Sequence, residues 1–592
     1  MSAQTGTPSY VPSPPSSRAV DLARASIRRA RSNPNPIWIR ELRQSARLGR
    51  TPIILMTVTA LVALLMSAIG GIMSVTASPA TTGIALFHTF FSVAFFVVTL
   101  VGPALAANSV ASEREGRTWE AVILTGLPPK TIARGKFLSA FTAISMYIVM
   151  MAPVGALSFL FGGVTALEVV VAFFFLFLFA LLSVAFGLAI SSALASGRTA
   201  IVVTLLLAFP LTLIAFLGLG VGLSVAAHEV WPAVLEGPPV WLPTAYERAP
   251  FSINYVTFLV LIPIASVAVP AWFFYEVTVA NLTSLTDDRA TGLKRWFAVM
   301  TPVLTGAAVV PAVAAPIPTP APAFMIGMSV MLLFLIFAVF VFQGDSIGPS
   351  RRVLVHWERM NASWLTRFFG PGLLKTMTLV FVMGFASLLL LGAAGVAVSY
   401  LSPHVTGGRD LQAQQVVVFL EYVATYFLFV AGFAAWVRTR ASTPGIARVM
   451  LLVAIFLSAA GPWIVAAIAG VVSDGSEEAL VVAAPSPFFA FALVESLYKP
   501  HRGLSMIAGA VCSLAWAMIG LGLFAAAATR AKQIIHKHHT MLAEADALLA
   551  KEDAIAAGDE VEDAEGEQDG QQTGQQTDGE PGAPGGGEAK PT

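Results

Sequence analysis

The sequence predicts an all-α fold, a polytopic bundle of about twelve transmembrane helices, and three observations carry that expectation. Only 12% of the 592 residues are charged and 56% are hydrophobic, whereas a soluble domain carries about 25% charged residues; the mean hydropathy is +0.77. Too little polar surface remains to cover a water-facing body of this size, and a hydrocarbon core is the solvent that accepts it. Apolar runs near or above the ~20 residues that a bilayer core requires recur along the chain. Lysines and arginines gather in the short segments between those runs, as they do in cytoplasmic loops.

The elements follow in order. Residues 1–17 are rich in Ser, Thr and Pro and are expected to be disordered. Residues 18–50 mix arginines with Ile, Leu and Trp38, a pattern suited to an interfacial amphipathic helix. The first fifty residues hold no apolar h-region, so no cleavable signal peptide is expected and the first apolar segment acts as the insertion signal. Spans are expected at roughly 52–75, 83–111, 137–162, 166–192, 200–226 and 253–279, then at 297–317, 323–342, 373–401, 414–436, 447–472 and 503–528. Each must be a helix, because a lone strand in lipid leaves its backbone polar groups unpaired. The seventh carries Pro302, Pro311 and Pro316 and runs into Pro318, Pro320 and Pro322. If it forms a re-entrant hairpin with the eighth, ten spans remain and the rest of the topology is unchanged. The expected organisation is a disordered N-terminus with a cytoplasmic elbow helix (1–50), a six-span half (51–280) and a second six-span half (281–529). A cytoplasmic helical extension (530–550) and an acidic tail (551–592) follow, the tail too poor in large apolar residues to stay ordered.

Charge sets the orientation. Of 34 acidic residues, 14 lie between Glu544 and Glu588, so the net charge of +1 hides a basic body. Basic residues in short loops between apolar runs point to a lipid bilayer as partner and not to nucleic acid. With both termini cytoplasmic, 31 of the 35 lysines and arginines fall on the cytoplasmic side, and only Arg248, Arg409, Lys499 and Arg502 fall outside. A missed or invented span would invert every later loop and spoil that ratio.

The layout hints at two six-helix pseudo-repeats, with coincidence of loop lengths as the alternative. A long cytoplasmic segment follows the second span of each half (112–136 and 343–372), and a proline- and aromatic-bearing external segment precedes the sixth, GPPVWLPTAYERAPF in one and AAPSPFFAFALVESLYKP in the other. Such segments suit the outer interface, and duplicated halves are common in transporters.

The most informative stretch is SEREGRTWEAVILTGLPPKTIARGKF, residues 112–137. Trp119, Val122, Ile123 and Leu127 stand at helical spacing, Thr118 is a candidate cap, and Pro128–Pro129 must interrupt the helix. The positive-inside rule accounts for the arginines but not for Glu113, Glu115 and Glu120. A short amphipathic helix here has one face for its own membrane domain and one for a partner.

This stretch resembles the loop between the second and third spans of type-2 ABC transporter permeases, the membrane subunits of many bacterial exporters. Glu113, Arg114, Glu115, Thr118, Glu120, Leu124, Pro128, Ile132, Gly135 and Lys136 match that pattern; Arg117 stands where glycine is usual, beside Gly116, and Trp119 where leucine is usual. A second resemblance lies in NPNPIWIRELRQSARLGRTP, where Asn35, Pro36, Ile37, Arg40, Glu41, Leu42 and Arg43 match the family's elbow helix. Together with the order of six spans and the external segment after the fifth, the resemblance covers about residues 33–280. The resemblance implies that 112–136 is a coupling helix docking on an ABC-type ATP-binding subunit, whose closure switches the exit path, in the inner membrane of a bacterium. ATP and Mg would then be bound by that partner. This chain has no Walker-type Gly-x-x-x-x-Gly-Lys-Ser/Thr, since Gly135–Lys136 is followed by Phe137, so no cofactor and no catalytic residue are expected in it. Whether it works alone as two fused halves, as a homodimer or with a second permease is left open.

Other features carry less. Glu421 is the acidic residue placed well inside a span, a pathway candidate by default, although it stands near the outer end. His536, His538 and His539 lack carboxylate or cysteine companions and read as the basic membrane-proximal end of a helix rather than a metal site. Gly155, Gly162 and Gly163 are expected to serve close helix packing. Cys512, the single cysteine, supports neither a disulfide nor a thiolate metal site within the chain. Three rival readings stand beside the exporter. An ion-coupled secondary transporter needs midplane ionisable residues. A membrane enzyme needs paired carboxylates or His/Asp clusters. The third is a non-transporting scaffold.

Overall fold

The computed structural model describes residues 34–46, 50–218, 256–284, 286–314, 318–405, 408–472, 480–498 and 503–572. The N-terminal segment to residue 33, the aromatic segment 237–251 and the tail from residue 573 lie outside the described residues. Among those described the chain is all helix and turn, without a strand. Twelve of the helices are long and apolar enough to cross a bilayer. The chain is a polytopic α-helical membrane protein.

The helices are α1 (Pro36–Ala46), α2 (Arg50–Thr76), α3 (Pro79–Glu115), α4 (Trp119–Leu124), α5 (Pro129–Leu160), α6 (Ala166–Ala193), α7 (Gly197–Ala215) and α8 (Ile262–Leu282). Then come α9 (Thr291–Ala314), α10 (Ala321–Phe342), α11 (Arg351–Arg359), α12 (Trp364–Phe369), α13 (Leu373–Leu401), α14 (Arg409–Arg438), α15 (Pro444–Val472), α16 (Phe489–Ser496) and α17 (Gly503–Gln572). Both members of the proline-rich pair, α9 and α10, are helices of spanning length. The chain divides into two compact units, Met1–Ala527 and Ala528–Thr592. Of the second, the described part belongs to α17, which is helical as far as Gln572, well past residue 551, from which disorder was expected. Its Ala, Glu, Lys and Leu are strong helix formers, and prolonging an existing helix avoids the cost of nucleation.

Within the first unit the buried apolar residues form two large clusters. One runs from Val62 to Leu188 and includes Val267; the other runs from Phe273 to Ala527. They meet on α8, which carries Val267 and Phe273 and lays Phe274 against Phe186 at 5.2 Å and Phe273 against Trp296 at 4.7 Å. α15 leaves Val449, Phe456, Leu457, Ile464 and Ile468 exposed, a stripe that water would not tolerate at this size but lipid does. The second proline- and aromatic-bearing segment forms α16, whose Phe489, Ala490 and Leu493 are buried and whose Phe491 packs on Phe419 of α14 at 5.1 Å.

Two boundaries differ from the hydropathy windows in a way that matters for the site. α3 is 37 residues and α5 is 32, about 55 and 48 Å at 1.5 Å per residue, against a hydrocarbon core of ~30 Å. Both therefore overshoot the apolar windows, and the charged stretch 112–136 is mostly helix rather than loop. Gly162 and Gly163 have positive φ, 81° and 79°, and make the turn between α5 and α6. Close packing holds at Gly163, where a Cβ would stand 2.3 Å from Ala80 O, and at Gly155, on Phe90, but a Cβ at Gly162 would meet nothing.

Candidate functional site at the elbow and linker

The stretch 112–136 meets α1 at one end of the bundle, and each of its three leading charges goes to a different neighbour. Glu113 faces α1 and α5. Its Oε2 pairs with Lys136 Nζ at 2.9 Å, and its Oε1 accepts from Arg40. Arg40 also donates to Glu41 at 2.9 Å, and Lys136 Nζ donates to Glu41 Oε1 at 3.2 Å and to the Ser109 carbonyl at 2.9 Å. Two cations and two carboxylates thus form a neutral tetrad tying α1, α3 and α5. The Lys136 side chain is wholly buried, donating to Glu41 and to the Ser109 carbonyl and ion-paired with Glu113. Burial alone would lower the Arg40 guanidinium, but its hydrogen bond to Glu41 and the charges of Glu113 and Glu41 overcome that, and the net shift is upward.

Arg114 turns to the C-terminal end of α6, donating to the carbonyls of Ser192 at 2.8 Å and Leu194 at 3.4 Å, the end where a cation complements the helix dipole. It also stands 5.6 Å from the Trp119 ring centroid. Glu115 turns to the N-terminal end of α7 and accepts from Gly197 N at 2.8 Å and Ser196 Oγ at 3.4 Å, again matching the dipole. The three charges read from the sequence as partner-facing are therefore engaged by the chain itself.

Past Glu115 the helix closes with a Schellman motif. Thr118 N donates to Glu113 O at 2.9 Å and Arg117 N to Arg114 O at 3.2 Å. Gly116 is the C-cap, and Arg117 occupies the left-handed position at φ 55°; its presence where glycine is expected puts strain in this turn. Thr118 precedes α4 but does not cap it. Its hydroxyl donates back to Glu113 O at 3.3 Å, and α4 has no side-chain cap. Pro128 is extended and Pro129 opens α5, the first-turn position where a missing N–H does no harm.

α4 sits on the elbow through a small apolar cluster of Val122, Ile37 and Ile132, flanked by Trp119 and Leu127. Its other face carries Glu120, Ile123 and Leu124, the last two 55% and 86% exposed. Of the four apolar residues at helical spacing, Ile123 is thus the one that points out. Gly135 permits the docking of α1, because a Cβ there would stand 2.6 Å from both Asn35 Oδ1 and Ile37 Cβ. Asn35 caps α1 by accepting from Ile37 N at 3.0 Å and anchors it by donating to Thr131 O at 2.8 Å. Pro36 is its first residue, and Arg43 lies exposed in its last turn.

Glu421 lies far from this site in sequence, exposed on α14, where its carboxylate accepts from Ser513 Oγ of α17 at 2.9 Å. Among the described residues no group of three His, Cys, Asp or Glu is placed to hold a metal ion.

Sequence reading missed a second ionic centre. Lys294 of α9 pairs with Asp345, just beyond α10, at 3.1 Å and donates to Gly370 O at 2.5 Å. Asp345 Oδ2 also accepts from Thr376 Oγ1 of α13 at 2.5 Å, and its carbonyl accepts from Arg438 at 3.3 Å. Acid and lysine each lie just outside an apolar run, but 51 residues apart nothing in the sequence pairs them. His88 of α3, whose Nδ1 is buried without a hydrogen-bond partner among the described residues, was also passed over. Its only signal was a lone histidine in an apolar run.

Comparison with known proteins adds no family: no family model matches the chain, and no curated protein matches it.

Proposed function

We propose that the chain is the multi-pass permease subunit of an ATP-driven ABC-type exporter, set in the inner membrane with both termini in the cytoplasm. A separate subunit would bind ATP and Mg and drive alternating access. One observation carries the reading: a six-residue helix, α4, held to the elbow and α5 on one face and bare on the other, with two large apolar side chains exposed among charges. That is the anatomy of a lever end, because force applied to α4 passes through Val122 to α1 and through the Glu113–Lys136 tetrad to α3 and α5. The overshoot of α3 and α5 beyond the hydrocarbon supports placing it in water. The contact residues of the lever are Glu120, Ile123 and Leu124; Glu113, Arg114 and Glu115 position it.

The test is affinity purification of the full chain from its native membranes, reading ATP hydrolysis in the purified material. Hydrolysis should accompany the native chain. The double variant Ile123→Asp/Leu124→Asp should lose it by about tenfold or more, the usual effect of truncating central apolar anchors, with insertion and thermal stability unchanged. Hydrolysis that never co-purifies, or that survives the double variant, would remove the exporter reading.

A further inference from the structure

The same end of the bundle carries a cleft of about 1200 Å³ between the turn after α8 and α11, reaching Lys130 at the start of α5. Six basic side chains line it, Lys130, Arg289, Arg295, Arg351, Arg352 and Arg359, against three carboxylates. The carboxylates are already engaged. Asp288 accepts from the backbone N–H groups of Ala290 and Thr291 at 3.0 Å each. Asp287 takes Arg352 at 3.2 Å and Ser284 at 2.9 Å, and Glu276 accepts from Trp272 at 3.1 Å. Arg289 is tied to Ala280 O at 2.6 Å. The side chains of Lys130, Arg295 and Arg359 have no ion-pair or hydrogen-bond partner among the described residues, and all three residues are exposed.

A positive-inside distribution explains basic residues at this end, but not the convergence of six of them against three carboxylates on one concavity. The walls are the ends of the spanning helices α8 and α9, so the cleft opens at the level where lipid headgroups lie. Beside it Met360, Trp364 and Leu365 are exposed, an aromatic and aliphatic rim of the kind that rests in the membrane interface. α11 itself buries Val353 and Trp357 and turns its arginines outward.

We propose that this cleft binds a phosphate-bearing anion, and that its source is the headgroup of an acidic phospholipid. A headgroup with more than one phosphate fits best, since the volume exceeds what a single phosphate fills and the charge is spread over several cations. Basic pockets between helices at the cytoplasmic face are suited to such lipids. The inference stands apart from the exporter reading, because it needs no ATPase.

Native mass spectrometry of the purified full chain in detergent tests it, with cardiolipin, phosphatidylglycerol and phosphatidylcholine offered in turn and inorganic pyrophosphate as the free anion. Cardiolipin should be retained over phosphatidylcholine. Arg295→Gln/Arg359→Gln should weaken that retention about 30-fold, the loss expected for two basic residues beside an anionic headgroup. Arg198→Gln, an exposed charge elsewhere, should not weaken it, and Arg295→Lys/Arg359→Lys should restore most of it, which separates charge from misfolding. Equal retention of all three lipids, or retention untouched by the glutamine pair, would overturn the proposal. Pyrophosphate binding without acidic-lipid retention would keep the anion chemistry but overturn the lipid as its source.

Discussion

The ends of α3 and α10 use one electrostatic device at two depths. At each, an acidic residue at or just past the helix end meets a lysine whose side chain has no exposed surface, Glu113 with Lys136 and Asp345 with Lys294. The second pair is sealed. Asp345 is 5% exposed and is further held by Thr376 and Gly372 of the α13 start, so α9, α10 and α13 are locked in register. The first reaches water, with Glu113 at 14% and Arg40 at 45% exposure, and one of its three helices is the elbow α1, outside the bundle core. The lysine comes from the helix after the acid in one case and before it in the other, so the correspondence is of device, not of sequence. Burial is what separates a fixed joint from one that can give, and in our reading the joint that can give is the one beneath α4.

The sharpest test of that difference is removal of each lysine. Lys294→Met strands a buried Asp345 and should cost about 3–5 kcal/mol, the usual penalty for breaking a buried pair by losing one partner. Lys136→Met should cost clearly less, because Glu113 keeps Arg40 and the Glu113 and Glu41 side chains are 14% and 20% exposed, against 5% for Asp345. Thermal unfolding of the purified variants in detergent reads the order. Equal losses would mean that the elbow joint is as rigid as the inner one.

These two joints also mark the reach of sequence reading. The spanning helices were legible because an apolar run of ~20 residues in lipid has one conformation open to it. Their ends were not, because α3 continues through Ser112, Glu113 and Arg114 and α5 begins at Pro129, where hydropathy has already fallen. Charged residues extend those helices by finding partners on other helices, and hydropathy does not record partners. The elbow and linker residues could be named from their pattern, but not the direction in which each side chain turns. That is why the pattern shows Glu113, Arg114 and Glu115 but not their partners on α5, α6 and α7, and why Lys294 and Asp345 went unpaired.

A smaller effect is expected at Glu115, which has no counterpart in the second linker. There, α11 and α12 are capped by their own Ser350 and Ser363, whereas α7 borrows its N-terminal acceptor from α3. Glu115→Ala should therefore cost about 1 kcal/mol, as loss of an N-terminal cap does, and should speed amide exchange at Gly197. Ser350→Ala should act only on α11. Protection unchanged at Gly197 would mean that water replaces the carboxylate.

The smallest effect compares the two turns directly. α3 and α11 both close with a Schellman motif, Thr118 N to Glu113 O at 2.9 Å in one and Ala362 N to Trp357 O at 2.9 Å in the other. Both place a residue other than glycine in the left-handed position, Arg117 at φ 55° and Asn361 at φ 43°. For arginine that conformation costs ~1–2 kcal/mol, whereas the short amide of asparagine tolerates it. Arg117 is exposed and its side chain has no ion-pair or hydrogen-bond partner among the described residues, so that side chain gives little back. Glycine's greater freedom in the unfolded chain offsets part of the gain, roughly 0.5–1 kcal/mol. Arg117→Gly should then raise stability by up to about 1 kcal/mol while Asn361→Gly changes it little, read as a rise in Tm for the first alone. Arg117→Gly should also leave α4 in place, since Val122 and the tetrad hold it without that side chain. A fall in Tm for Arg117→Gly would show that the arginine contributes more at this turn than its backbone strain takes away.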